Sequence, residues 1–202
     1  MHVTIRHFTA DDVPLRTALL RDGAFQANLT DFAVLSDDDE LDDWHLNTIE
    51  HEQDTKRIFT ACRRNGEVMG FLWITSLDWR SRTCELSFAM LPRFRRGFGH
   101  LAIHATRAFL HDELNLEVVV DQVLEHNTML NSGRGAREHT QVRIPYDSFT
   151  VGEWRTACYW TQTRPEFRQR QAELASREEE LARRRAARKA AVHGERVGAG
   201  PR

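Results

Sequence analysis

Several features are scarce in this chain of 202 residues. It has 5 prolines, 11 glycines and 3 cysteines, which excludes a collagen-like chain, a low-complexity chain and a disulfide-stapled miniature domain. No apolar run approaches the roughly 18 residues that span a bilayer. The opening residues also lack the apolar segment of a secretory signal. We therefore expect a cytoplasmic protein with no membrane-spanning segment.

The three cysteines support the same compartment. Their number is odd, and they lie far apart within apolar, strand-like runs, at Cys62, Cys84 and Cys158. Paired cysteines at regular spacing are typical of oxidising compartments, whereas this pattern is typical of reduced, buried thiols.

Net charge is also small, at −2, but it is unevenly distributed. Residues 1–167 carry −7 and residues 168–202 carry +5. A basic tail on an acidic body can mark an interaction surface. The alternative is a solvated, salt-bridged helix, which the glutamates interleaved with the tail's arginines favour.

Hydrophobic periodicity predicts a mixed order of strands and helices. Strands are predicted at residues 2–7, 57–63, 68–77, 83–91, 117–124, 141–146 and 154–163. Helices are predicted after Thr9 and at residues 36–54, 98–112 and 166–192. This order indicates an α+β (α/β) domain over residues 1–166, a charged helix over 167–192 and a flexible tail over 193–202.

Arginines and glycines are concentrated between the strand that ends at Leu91 and the helix that follows. The segment reads PRFRRGFG and contains Arg93, Arg95, Arg96, Gly97 and Gly99. A helix N-terminus offers unpaired N–H groups and a partial positive charge, and glycines let an anion approach them. The segment therefore predicts a site for a pyrophosphate or another polyanion; the alternative is a tight turn with surface arginines.

Three stretches, in this serial order, resemble the GNAT acyltransferases: VTIRHFTADDV, GEVMGFLWITSLDWRSRTCELSFAMLPRFRRGFG and GAREHTQVRIPYDSFTVGEWRTACYWTQTRPEF. Within that family they are most similar to the enzymes that acetylate ribosomal-protein N-termini and to their small-molecule-acylating relatives. The resemblance covers residues 1–166. It implies a mixed, mostly antiparallel sheet flanked by helices, with the C-terminal helix as an extension.

The resemblance also implies acyl-CoA, most simply acetyl-CoA, as the acyl donor. It assigns donor binding to the strand before the turn, to backbone N–H groups of the turn and to an asparagine after the next strand. The residues are Phe88, Met90, Leu91, Arg95, Arg96, Gly97, Phe98, Gly99, His100 and Asn127.

For the catalytic groups, the resemblance assigns Glu85 as general base, directly or through water. The alternative is a strand carboxylate paired with Arg80 or Arg82. The family's usual tyrosine after Asn127 is missing, so Ser132 is the predicted acid, with Tyr146 and Tyr159 as alternatives. Phe94 also departs from the pattern, because that position is usually Gln or Arg.

The acceptor site is predicted around the acidic residues 37–43 and nearby tryptophans, since carboxylates would attract a cationic amine. The named residues are Asp37, Trp44 and Trp73. The alternatives are a solvated helix start and core packing. His100 and His104 have the i,i+4 spacing of metal ligands, but no third ligand is evident, so no metal is expected.

Three functions remain open from the sequence. The first is transfer of an acyl group to an amine of a small molecule or a protein N-terminus. The second uses aminoacyl-tRNA as donor to form an amide on a small-molecule amine, without CoA; Arg93, Arg95, Arg96 and the C-terminal helix would contact the tRNA. The third is a non-catalytic GNAT-like binding module. In that case the C-terminal helix would contact a partner or form a homodimer.

Overall fold

The computed structural model describes residues 2–26, 36–51, 57–95, 98–127, 140–150 and 152–198. The chain divides into two compact units, Met1–Thr163 and Arg164–Arg202. In the described ranges, every helix is too short or too polar to cross a membrane.

The first unit is built on one seven-stranded sheet with the order β1-β2-β3-β4-β5-β7-β6. The strands are β1 (Val3–His7), β2 (Arg57–Arg63), β3 (Val68–Asp78), β4 (Thr83–Met90), β5 (Val118–Leu124), β6 (Val142–Thr150) and β7 (Glu153–Thr163). Neighbouring strands are antiparallel, except that β4 and β5 are parallel. This arrangement confirms the predicted mixed, mostly antiparallel α+β fold.

Helices flank the sheet. They are α1 (Val13–Leu20), α2 (Gly23–Gln26), α3 (Asp38–Glu50) and α4 (Gly99–Ala108), and the second unit is the long helix α5 (Arg164–Gly198). A π-helical turn, Phe109–Glu113, extends α4, so the helix predicted over residues 98–112 is confirmed in position. α5 begins before the predicted 166–192, because Pro165 fits the first helical turn without breaking it, and it ends beyond that range.

Alternation along β3 gives the sheet two packed faces. Phe71, Trp73 and Thr75 lie on what we call the front face, where Phe71 belongs to a core with Leu19 of α1 and Leu41 of α3. The opposite face carries a second core, in which β-strand side chains meet those near the C-terminal end of α4. Its members include Phe59, Leu72, Ile74, Leu110 and Leu116.

Strand β6 is longer than the prediction over residues 141–146. Its register against β7 shifts between Ile144 and Ser148, and Tyr146 inside this bulge has a φ of 55°. A bulge interrupts the alternation of side chains and then allows pairing to resume. The strand therefore continues to Thr150.

Gly70 sets how closely β3 approaches the end of β4. A Cβ atom at this position would lie 2.2 Å from the Ala89 carbonyl oxygen, which is too close for any side chain. The glycine therefore holds the last residues of β4 against β3.

We expect Gly70→Ala to lower the free energy of unfolding by about 1–3 kcal/mol, since the added methyl group forces backbone to move. Urea denaturation would measure this loss. Gly23→Ala is the matched control, because a Cβ there meets nothing within 4 Å. Equal stability of the two variants would contradict the close approach.

Candidate active site

Two central strands separate in the middle of the sheet. β4 and β5 pair only from Thr83–Val118 to Leu86–Asp121. Beyond that point β4 continues along β3 to Met90, and β5 continues along β7 to Leu124. The β4–β5 gap is the space between these two diverging segments.

Backbone groups of β4 face this gap. The Leu91 N–H donates to the Met69 carbonyl of β3 at 2.9 Å, so the alternate residues Phe88 and Met90 direct their backbone groups away from β3. The Met90 carbonyl accepts a hydrogen bond from Nε of Arg95 at 3.2 Å, as expected for a group on the gap side. β4 thus presents an edge that an extended ligand could pair with.

The chain then turns from β4 into the N-terminus of α4. Pro92–Phe94 form a 3-10 turn, Phe98 is the N-cap of α4, and the Ala102 N–H makes an early helical hydrogen bond to the Phe98 carbonyl. The N–H groups of the first turn, from Gly99 and His100 onward, have no acceptor within a helix. They are positioned to receive an anion.

Of the residues predicted in this turn, Arg96 and Gly97 lie outside the described residues. The Arg95 guanidinium forms an ion pair with Asp22 at 2.7 Å. Arg93 contacts Glu67 at 3.4 Å and lies over the Phe94 ring. The chain's own carboxylates therefore engage both described arginines.

The structure also describes Phe94 and Asn127, two further residues named from the family pattern. Phe94 is buried and packs edge-on against Phe98, with ring centroids 6.0 Å apart, which explains an apolar side chain where the family pattern has a polar one. Asn127 follows β5, and its N–H donates to the Leu124 carbonyl at 2.9 Å. Ser132 lies outside the described residues.

Glu85 is half-buried on the front face, just before the strands diverge. Its Oε2 accepts a hydrogen bond from the Thr75 hydroxyl at 3.2 Å. Arg82, offered above as an alternative ion-pair partner, contacts Glu117 at 3.2 Å instead. The Glu85 carboxylate is therefore oriented by a neutral hydroxyl beside the gap.

A polar cluster lies across the gap, on β5, β6 and β7. The Tyr159 hydroxyl donates to Oδ2 of Asp147 at 2.8 Å, and Gln122 donates to both of them, at 2.7 and 2.8 Å. Burial and the hydrogen bond to Asp147 raise the pKa of Tyr159 to about 12. The Tyr159 hydroxyl is therefore held by Asp147 and Gln122, and its alternative role as general acid stays a prediction.

Residues predicted at the acceptor site have structural contacts. Asp37 caps α3 by accepting from the Glu40 N–H at 2.8 Å. Trp44 packs against the His45 ring at 5.1 Å. Trp73 is half-buried on the front face, with Phe25 packed edge-on against it. The acceptor roles of these three residues stay predictions.

One charged residue of the front face was not among the predicted site residues. Arg16 of α1 is only 3% exposed, and its guanidinium carbon lies 4.1 Å from the ring centroid of Trp73. Its position in sequence was a signal, because it lies three residues after Val13, on the buried stripe of an amphipathic helix.

Comparison with solved structures identifies the same architecture. Spermidine N-acetyltransferase from Vibrio cholerae in complex with CoA and spermine is 15% identical, covers 82% of this chain and 97% of its own, and has a TM-score of 0.69. A chimera of SpeG from Vibrio cholerae and hSSAT, also 15% identical, covers 83% of this chain and 98% of its own, with a TM-score of 0.70. At this identity the likeness shows the fold alone.

No protein of curated function matches the sequence significantly. A family model does match: the acetyltransferase (GNAT) domain, over residues 2–132. These findings support the superfamily without singling out the ribosomal-protein subgroup, and they lend no support to aminoacyl-tRNA as donor. The match of the family model over more than half of the chain shows that it belongs to the GNAT acetyltransferases and is an amide-forming acyltransferase.

Proposed function

We propose that this protein transfers an acetyl group from acetyl-CoA to an amine of a small molecule. The observation that carries the proposal is the β4–β5 gap, with an edge of β4 on one side, the N-terminus of α4 at its end and Glu85 beside it. An activated thioester is what acetyl-CoA supplies when bound.

The described residues fit such a donor in two ways. The gap-facing backbone groups of Phe88 and the N–H of Met90, whose carbonyl is engaged by Arg95, match an extended amide-containing arm. The first turn of α4, entered through Phe98, suits a pyrophosphate, and a Cβ at Gly99 would meet nothing within 4 Å. A backbone N–H directed into the gap would also stabilise negative charge that develops on the thioester carbonyl oxygen.

Glu85 is the proposed base. An amine reaches the enzyme largely as an ammonium ion, and it must lose a proton before its nitrogen can attack. Thr75 occupies Oε2 of Glu85 from one side, which orients the carboxylate and leaves its other lone pairs for the amine or a bridging water. The new C–N bond replaces the C–S bond, and the leaving thiolate takes up a proton. Ser132 stays the predicted donor of that proton.

The proposal that the acceptor is a small amine has support apart from the geometry of the gap. The similar solved structures are spermidine N-acetyltransferases, and one of them contains spermine. We extend to this chain only their shared chemistry, acetylation of a small amine.

Binding of acetyl-CoA gives the first test. At a concentration 100 times Kd, the donor is expected to stabilise the folded chain by about 2.7 kcal/mol, visible as a higher Tm. Adenosine alone is the control, because it lacks both the pyrophosphate and the arm and should have little effect. An unchanged Tm at saturating acetyl-CoA would sink the proposal.

Replacement of Glu85 gives the second test. Glu85→Gln should lower kcat/KM by about 10²–10⁴-fold, the usual contribution of a general base, while leaving acetyl-CoA binding intact. Release of CoA in the presence of an amine acceptor measures the rate. Glu117→Gln is the matched control: it removes a half-exposed carboxylate paired with Arg82 and should retain near wild-type activity. A Glu85→Gln enzyme as active as this control would exclude Glu85 as base.

A further inference from the structure

Arg16 carries a charge that the described part of the chain leaves uncompensated. The side chain lies on the front face, with its guanidinium carbon 4.1 Å from the Trp73 ring centroid and 5.7 Å from that of Phe71. Its Nε and Nη1 atoms are buried and have no hydrogen-bond partner among the described residues.

A buried guanidinium in this arrangement is expected to bind an anion. Buried charged groups are normally paired and hydrogen-bonded, because loss of hydration is otherwise uncompensated. Burial lowers the pKa of Arg16 to about 9, which still leaves the guanidinium protonated at neutral pH. The contact with the Trp73 ring supplies no hydrogen-bond acceptor, so the Nε and Nη1 donors remain for a carboxylate.

Arg16 also lies close to the proposed reaction centre. Trp73 pairs with Ser87 across the β3–β4 ladder, and Thr75 pairs with Glu85. Because these rows are two residues apart on the same face, they are separated by roughly 7 Å. Trp73, Ser87 and Glu85 are all half-buried, so the surface beside Arg16 is not sealed by these three side chains.

We propose that Arg16 binds an anionic group of the acceptor, so that the acceptor is a small molecule with both an amine and a carboxylate. The amine would lie at Glu85 and the carboxylate at Arg16. This inference rests on the proposed acetyl transfer and narrows its substrate class. It also separates this chain from an enzyme for polyamines, which have no negative group. Of the acids in and before α3, Asp37 caps the helix and Asp42 accepts from the Thr17 hydroxyl, so both of these carboxylates also have partners within the fold.

The experiment compares acceptors that differ only in the anion. The twenty L-amino acids are screened with acetyl-CoA by CoA release, and the best is compared with its carboxamide, with spermidine, and with the phosphoethanolamine–ethanolamine pair. We expect a KM at least tenfold lower for the amino acid than for its amide. Arg16→Gln should raise the KM for the acid by about 10–100-fold, the range for a lost charged hydrogen bond, and leave the KM for the amide nearly unchanged.

Two variants separate anion binding from folding. Arg16→Lys keeps the charge and should restore part of the preference for the acid. Arg57→Gln removes another guanidinium that lies over a tryptophan, Trp79, and should leave the preference intact. If Arg16→Gln does not fold, the KM values of the wild-type chain for the amino acid and for its carboxamide still test whether the acceptor's carboxylate is bound.

Several outcomes would overturn the inference: equal KM values for acid and amide, equal loss for both in Arg16→Gln, or a clear preference for spermidine. A preference for phosphoethanolamine over every amino acid would also contradict the carboxylate, because it would identify a phosphate as the anion that Arg16 binds. Failure of the acetyl transfer itself is recognised separately, because the amino acid should raise the Tm of the wild-type chain more than its amide does even without acetyl-CoA.

Discussion

The site in this structure depends on one edge of β4, where the backbone groups have no neighbouring strand to pair with. β4 is held by β3 along its whole length, but its other edge loses β5 after Leu86. Backbone donors and acceptors inside a fold require hydrogen-bond partners. Because β4 and β5 diverge, the groups along the β4–β5 gap must find those partners outside the sheet. The gap lies where the parallel pair stops: beyond Leu86 strand β4 stays paired with β3, and beyond Asp121 strand β5 stays paired with β7.

The described charged side chains differ in whether they have partners within the chain. Several form ion pairs within the fold: Arg95 pairs with Asp22, and Arg107 pairs with Asp121, each at 2.7 Å. Even the basic second unit neutralises part of itself, through pairs such as Arg184 with Glu180. Arg16 differs from these pairs, because its buried Nε and Nη1 atoms have no hydrogen-bond partner in the part of the chain that the structure describes. The net charge of a whole segment does not reveal a single group of this kind.

Much of the fold could be predicted from the sequence, since alternation marks buried strands well. The bulge in β6 escaped the prediction because Pro145 and Tyr146 break the alternation locally, while pairing with β7 resumes after them. For the site, Glu85 and its strand were predictable from a family resemblance, and the structure places them beside the gap. The helix pattern signals that Arg16 is buried, but its contact with Trp73 could not be predicted, because Trp73 is remote in sequence and only folding brings the two together.

The buried thiols have a consequence for how the opening of this sheet can be followed. Cys62, Cys84 and Cys158 are free, buried and placed on three different strands, β2, β4 and β7. Burial raises the pKa of Cys84 to about 12, so the reactive thiolate is scarce while β4 stays packed. Alkylation of each thiol therefore reports on a separate strand's exposure to solvent, and the native chain carries its own set of probes for local unfolding.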